Sequence, residues 1–204
     1  MRKIWLFAGF FACVLAALLS LTLGAAACTL PELVEAIGTG TATTAGRIFW
    51  FSRLPRTAGC LLAGAALAVS GCVIQNVLAN PLASPGIIGI NAGAGLGVTV
   101  CCALGALSGW TVAGAAFLGA LTAAVLVVFC ARRTGASRST VILSGVAVNA
   151  IVNGLRDAVT TLAPDVSVMS ADFRVGGFSA VAHTRLIPAG ALILVSLALV
   201  FSLH

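Results

Sequence analysis

From Thr57 to Ala131 the chain carries no charged side chain. A helix needs about 20 apolar residues to cross a hydrocarbon core about 30 Å thick, so this stretch has room for three crossings. Water is a poor solvent for such a surface. Charged residues are only 8% of the chain against 60% hydrophobic, where a soluble domain carries about 25% charged. The 23 glycines suit helices packed closely in lipid. The expected fold class is therefore all-α: a polytopic membrane helix bundle with about six transmembrane helices, and membrane lipid as its first partner.

Breakers divide the stretch. Asn80-Pro81-Leu82-Ala83-Ser84-Pro85-Gly86 is the first. Asn80 precedes a proline and is biased away from helix, while Ser84 suits an N-cap and Pro85 a first helical turn. Leu107-Ser108-Gly109-Trp110 is the second, with a tryptophan at interfacial depth. The spacing predicts spans over 4–27, 57–79, 85–107, 110–131, 139–160 and 185–204. The run from Ile4 to Pro31 is also uncharged, and with more spans following it an uncleaved first helix is expected rather than a signal peptide. Thr29-Leu30-Pro31-Glu32 has the form of a capping box, so a short helix is expected to Gly38. Phe49-Trp50-Phe51 resembles an interfacial aromatic patch. Residues 161–184 form a second connection that does not span.

Several function classes drop out. Net charge is +6, but Lys3 is the only lysine and no basic run exceeds Arg132-Arg133, so no nucleic-acid face is expected. The seven cysteines form no C-x-x-C pair and the two histidines are His183 and His204, so neither a metal site nor a cofactor is expected. No G-x-S-x-G, no H-E-x-x-H and no carboxylate pair inside a span points to an enzyme. The acids Glu32, Glu35, Asp157, Asp165 and Asp172 lie in or beside connections, which also disfavours proton-coupled transport. Lys/Arg counts on the two sides of the expected bundle are nearly equal, so charge alone does not set its orientation.

Polar and small residues inside the spans mark where helices meet. Gly59, Ala63, Ala66 and Ser70 share one face of the second span, and Gly64, Ala68, Gly71 and Gln75 another, which predicts a helix central to the bundle. Gln75 and Asn76 place amides near its end. Gly89, Gly93 and Gly97 make overlapping G-x-x-x-G repeats, with Gly105 and Gly109 another. Gly145, Asn149, Asn153, Arg156 and Thr160 form a polar stripe, which must face protein or a water-filled path. A pathway lining and a hydrogen-bonded seam both fit, the seam slightly better. Arg53-Leu54-Pro55-Arg56 puts two arginines on one helical turn, where they can snorkel to headgroups or pair with a partner's carboxylates.

Arg53-Leu54-Pro55-Arg56, then Gly64-Ala65-Ala66-Leu67-Ala68-Val69-Ser70-Gly71, Gln75, Asn80-Pro81-Leu82-Ala83, Pro85-Gly86 and Gly89, resembles the FecCD/BtuC-like permease family of ABC importers for iron-siderophore, haem and cobalamin chelates. Gly176-Gly177-Phe178-Ser179 is similar to a second, weaker family element. The resemblance implies the transmembrane permease subunit of an importer, powered by a separate cytoplasmic ATPase and supplied by a periplasmic substrate-binding protein. It further implies a homodimer or pseudo-dimer in the bacterial inner membrane. Arg53 and Arg56 would dock the binding protein; Gln75, Asn76, Asn80, Pro81, Asn149 and Asn153 would line the pathway or pack helices. Ala79 and Arg174 depart from the pattern, standing where an arginine and an aromatic are usual. The family has about ten crossings, so residues 1–204 are expected to form a single, partial permease domain lacking the C-terminal helices. A stand-alone secondary transporter or channel, or a non-functional permease fragment, remains the alternative.

Overall fold

A computed structural model describes residues 2–24, 30–135, 137–177 and 183–202. Its elements are α1 (Arg2–Thr22), α2 (Leu30–Thr39), α3 (Thr44–Ile48), a π-helical turn (Phe49–Arg53), α4 (Leu54–Leu78), α5 (Ile90–Ala103), α6 (Gly109–Arg133), α7 (Arg138–Leu162), α8 (Pro164–Met169), α9 (Ala171–Val175) and α10 (His183–Ser202). No strand occurs among the described residues. Among the described residues, four helices are long and apolar enough to cross a membrane: Ile4–Thr22, Thr44–Leu78, Gly109–Arg133 and Arg138–Leu162. The other two expected crossings correspond to shorter apolar helices, Ile90–Ala103 and Leu186–Ser202. Leucine, valine and phenylalanine side chains stand exposed along these helices, which lipid tolerates and water does not.

Contacts divide the chain into two compact units, Met1–Leu67 with Phe178–His204, and Ala68–Gly177. In the first, the amphipathic α2 packs on α3 and the π-turn. The Trp50 indole N–H donates to the Ala36 carbonyl at 3.2 Å, and Phe49 meets Trp50 edge-on. The aromatic patch is therefore partly internal: Phe49 is buried while Phe51 is exposed. Thr29 of the expected capping box lies outside the described residues, as do Phe178 and Ser179. The second span begins well before residue 57, because helix continues from Thr44 to Leu78. Pro55 would clash with the carbonyl four residues earlier in an unbroken α-helix. The π-turn just ahead of it, with the Leu54 N–H on the Phe49 carbonyl, widens the ladder there. α10 packs on α4 where Gly190 meets Leu62.

In the second unit α5, α6 and α7 pack side by side. A β-carbon on Gly93 would strike the Gly119 carbonyl, one on Gly119 the Gly93 carbonyl, and one on Gly97 the Ala115 carbonyl. Gly93 and Gly97 thus meet a matching small-residue series on α6, Ala115, Gly119 and Ala123, while Gly89 faces Gly145 and Asn149 of α7. Val98, Cys102 and Val166 close one apolar cluster; Ala123, Val127 and Val148 close another, with Ile88 and Val152 against it.

Three expectations change. The third span is not one helix from 85 to 107. Ser84 Oγ does accept the Ile87 N–H, but the turn it caps ends at Gly89, where φ is +84°, and α5 starts afresh at Ile90. The Ile90 N–H on the Pro85 carbonyl and the Gly89 N–H on the Gly86 carbonyl are the two bonds of a Schellman stop. Gly105 and Gly109 do not form a packing repeat. Gly105 (φ +74°) closes α5 and Gly109 opens α6. On the Gly64/Gly71 face of α4, a β-carbon on either glycine would meet nothing within 4 Å among the described residues, while Gly59 of the other face is buried.

Candidate functional site

The two arginines ahead of α4 diverge. Arg53 is 6% exposed. Its Nη1 donates to the carbonyls of Leu21 and Thr22, both at 2.6 Å, and its guanidinium lies against Gly24. Those carbonyls belong to the last turn of α1, where intrahelical partners run out and the helix dipole favours a cation. Ser20 Oγ and Thr57 Oγ1, 2.9 Å apart, tie the same two elements. Arg53 is therefore a clamp between α1 and the start of α4. Arg56, a turn later, is exposed.

Gln75, Asn80 and Pro81 come together at the far end of α4. The Asn80 N–H reaches the Gln75 carbonyl (3.1 Å) and the Ala79 N–H the Asn76 carbonyl (3.2 Å), a second Schellman stop. Its left-handed position is held by Ala79 at φ +46°, where glycine is usual. Beyond it, Asn80 Oδ1 accepts the Leu82 N–H at 2.9 Å and Gln75 Nε2 donates to the Pro81 carbonyl at 2.9 Å. The two amides thus brace the turn at the end of α4. Asn76 is exposed, with Nδ2 3.6 Å from Cys72 Sγ.

The stripe on α7 faces α5 and the turn before it. Gly145 abuts Ile87 and Ile88, and the Asn149 backbone abuts Gly89. Asn153 Nδ2 donates to Asn149 Oδ1 at 3.0 Å. The Arg156 stem passes Gly95 near Phe173, and its guanidinium pairs with Asp157 at 2.9 Å. Both side-chain bonds of the stripe run within α7, and its backbone packs against the break before α5. Ala115, Gly119 and Ala123 were the residues overlooked in sequence; their own four-residue spacing was the available signal. Among the described residues no group of three His, Cys, Asp or Glu side chains could hold a metal.

A buried arginine clamp, a folded-back Asn-Pro turn and a glycine-broken helix occur in a chain with membrane-length helices, and residues 12–204 match the FecCD transport family. The chain belongs to that family. It is 40% identical over 157 residues to the ferric enterobactin transport system permease protein FepD of Escherichia coli strain K12, covering 75% of this chain and 47% of the relative. It is 44% identical over 113 residues to the vitamin B12 import system permease protein BtuC of Salmonella arizonae, covering 54% of this chain and 34% of the relative. The chain thus spans between a third and a half of these relatives. A solved metal-chelate type ABC transporter in an inward-facing conformation superposes with a TM-score of 0.81 at 23% identity, over 100% of this chain and 62% of that one. That likeness is one of fold, and it covers the whole chain.

Proposed function

We propose that this FecCD member serves as transmembrane permease subunit of an ABC importer for iron-siderophore, haem or cobalamin-type chelates. The observation that carries the proposal is the family match over residues 12–204 falling on four membrane-length helices. The relatives named for ferric enterobactin and vitamin B12 give the cargo class. A separate ATPase on the cytoplasmic face drives the cycle, and a periplasmic binding protein delivers the chelate to a homodimer or pseudo-dimer in the bacterial inner membrane. The chain does no covalent chemistry in this scheme. Its work is to expose a path at the dimer interface alternately to each side.

Arg53 and Arg56 belong to the docking surface in unequal ways. Arg56, being exposed, pairs with a carboxylate of the binding protein, while Arg53 holds α1 against the turn that presents it. Asn76, Asn149 and Asn153 border the path, and the Gln75, Asn80 and Pro81 network keeps its turn rigid. The space beside Gly64 and Gly71 on α4 supports this reading, since a small-residue face accepts a partner helix.

The test is uptake of radiolabelled ferric siderophore or cobalamin into proteoliposomes carrying the chain with its ATPase and binding protein. Accumulation should require ATP inside and binding protein outside. Accumulation that continues without the ATPase would overturn the proposal.

A further inference from the structure

The helix that carries Arg53 and Arg56 is longer than a bilayer needs. It runs over 35 residues from Thr44 to Leu78, and the part from Thr57 onward carries no charge. That uncharged part alone supplies the roughly 20 residues a crossing takes. The segment from Thr44 to Arg56 therefore projects out of the hydrocarbon as a stalk.

The π-turn sets which side chains of the stalk share a face. At about 100° per residue, Arg47 and Arg56 would point about 180° apart in an unbroken α-helix. The bond from the Leu54 N–H to the Phe49 carbonyl takes up one extra residue. That brings the two arginines to within about 80° of each other, with Ser52 midway between them. Burial follows this register. Arg47, Ser52 and Arg56 are exposed, whereas Phe49, Arg53 and Thr57, turned well away from them, are buried. Phe51, beside the stripe, is exposed too. Arginine with an aromatic neighbour is a composition enriched where proteins meet.

Depth and charge narrow the occupant. About 13 Å of helix separate Arg47 from Arg56, while the headgroup layer on each side of the core is only about 5–8 Å deep. With Arg56 at the edge of the core, Arg47 stands beyond the headgroups, so one partner covering both must come from the aqueous phase. Among the described residues neither arginine makes an ion pair. A second copy of the stripe would set like charge against like; an acidic protein surface fits.

We propose that Arg47, Ser52 and Arg56 form one docking stripe for an acidic face of the soluble binding protein, with Arg47 making the second ionic contact that the buried Arg53 does not. The partner's identity rests on the import reading above; the stripe rests on the register that the π-turn imposes.

The full chain is held in lipid nanodiscs, the periplasmic binding protein of the same system is the probe, and association and dissociation are timed at about 0.05 and 0.5 M salt. Arg47→Glu should weaken binding about tenfold at low salt, mainly through slower association, and the loss should shrink at high salt. Arg47→Ala combined with Ser52→Arg should recover most of the affinity, because the stripe regains its second charge; a merely structural role for Arg47 gives no such rescue. A photo-cross-linking side chain at Ser52, in a chain that keeps both arginines, should yield an adduct with the binding protein. If Arg56→Glu weakens binding and Arg47→Glu does not, the stripe is refuted and the docking reading stands. If neither weakens it, the docking reading fails as well. A Ser52 adduct to lipid, to a second copy or within the chain itself would also overturn the stripe.

Discussion

Replacing Arg53 by alanine should damage the fold, while the same change at Arg56 should not. The Arg53 guanidinium is almost fully buried, and one of its nitrogens serves two carbonyls at the end of α1 at 2.6 Å. A hydrogen bond to a charged group contributes about 1.5–3 kcal/mol. Nη1 carries two hydrogens, so each carbonyl has its own donor, but both bonds are only part-buried and water can replace much of the lost bonding. The expected loss is about 2–3 kcal/mol, made up of those bonds and of carbonyls left poorly partnered. For a chain of this length it lowers the thermal midpoint by roughly 4–12 °C. Arg53→Lys should recover part of it, since an ammonium keeps the charge but not the fork. Arg56→Ala should stay within about 0.5 kcal/mol, as exposed substitutions do. Unfolding in detergent, followed by tryptophan fluorescence and circular dichroism, measures both. The pattern then inverts in a pulldown with the binding protein, where Arg56→Ala should lose capture although it remains folded. An Arg53→Ala protein with the parental midpoint would refute the clamp; unimpaired capture by Arg56→Ala would refute the docking role.

Three further substitutions have signed outcomes in the same unfolding assay. Ala79 occupies a left-handed position at a cost of about 1–2 kcal/mol to a side-chain-bearing residue. Ala79→Gly should therefore stabilise by about 0.5–1 kcal/mol, and Ala79→Val should destabilise, branched side chains tolerating that region worst. Gly119→Ala pushes a methyl into the Gly93 carbonyl and should destabilise by about 1–3 kcal/mol, whereas Gly114→Ala on the same helix meets nothing and should be neutral or mildly stabilising. Asn80→Ala removes the side-chain bond to the Leu82 N–H and should cost about 1 kcal/mol, with Asn80→Asp retaining the acceptor and most of the stability.

Much of the local structure was legible along the chain. The expected span 139–160 became Arg138–Leu162. The Ser108-Gly109 break placed α6 within a residue or two at each end. α2 ends at Thr39 against an expected Gly38. These features depend on hydropathy and on caps that act within a turn, so neighbouring residues suffice to read them. The errors occurred where two local signals competed. The second span was expected to start at residue 57, yet a π-turn lets helix run through Pro55. Gly89 looked like a packing glycine, and it is one, but its positive φ also stops one helix before the next begins.

By itself, then, the amino-acid order determined that the chain is helical, that hydrocarbon is its solvent, where most helices stop, and which residues are small enough for close contact. Tertiary structure decided which surfaces those residues touch. Arg53 and Arg56 are alike in type and three positions apart, but only one finds the exposed carbonyls of α1 within reach. Gly93 and Gly64 are equally bare, but only Gly93 has another backbone against it. Hydropathy and capping are properties of a segment. A partner across a gap is a property of how distant segments approach, and no window along the chain contains both sides of that contact.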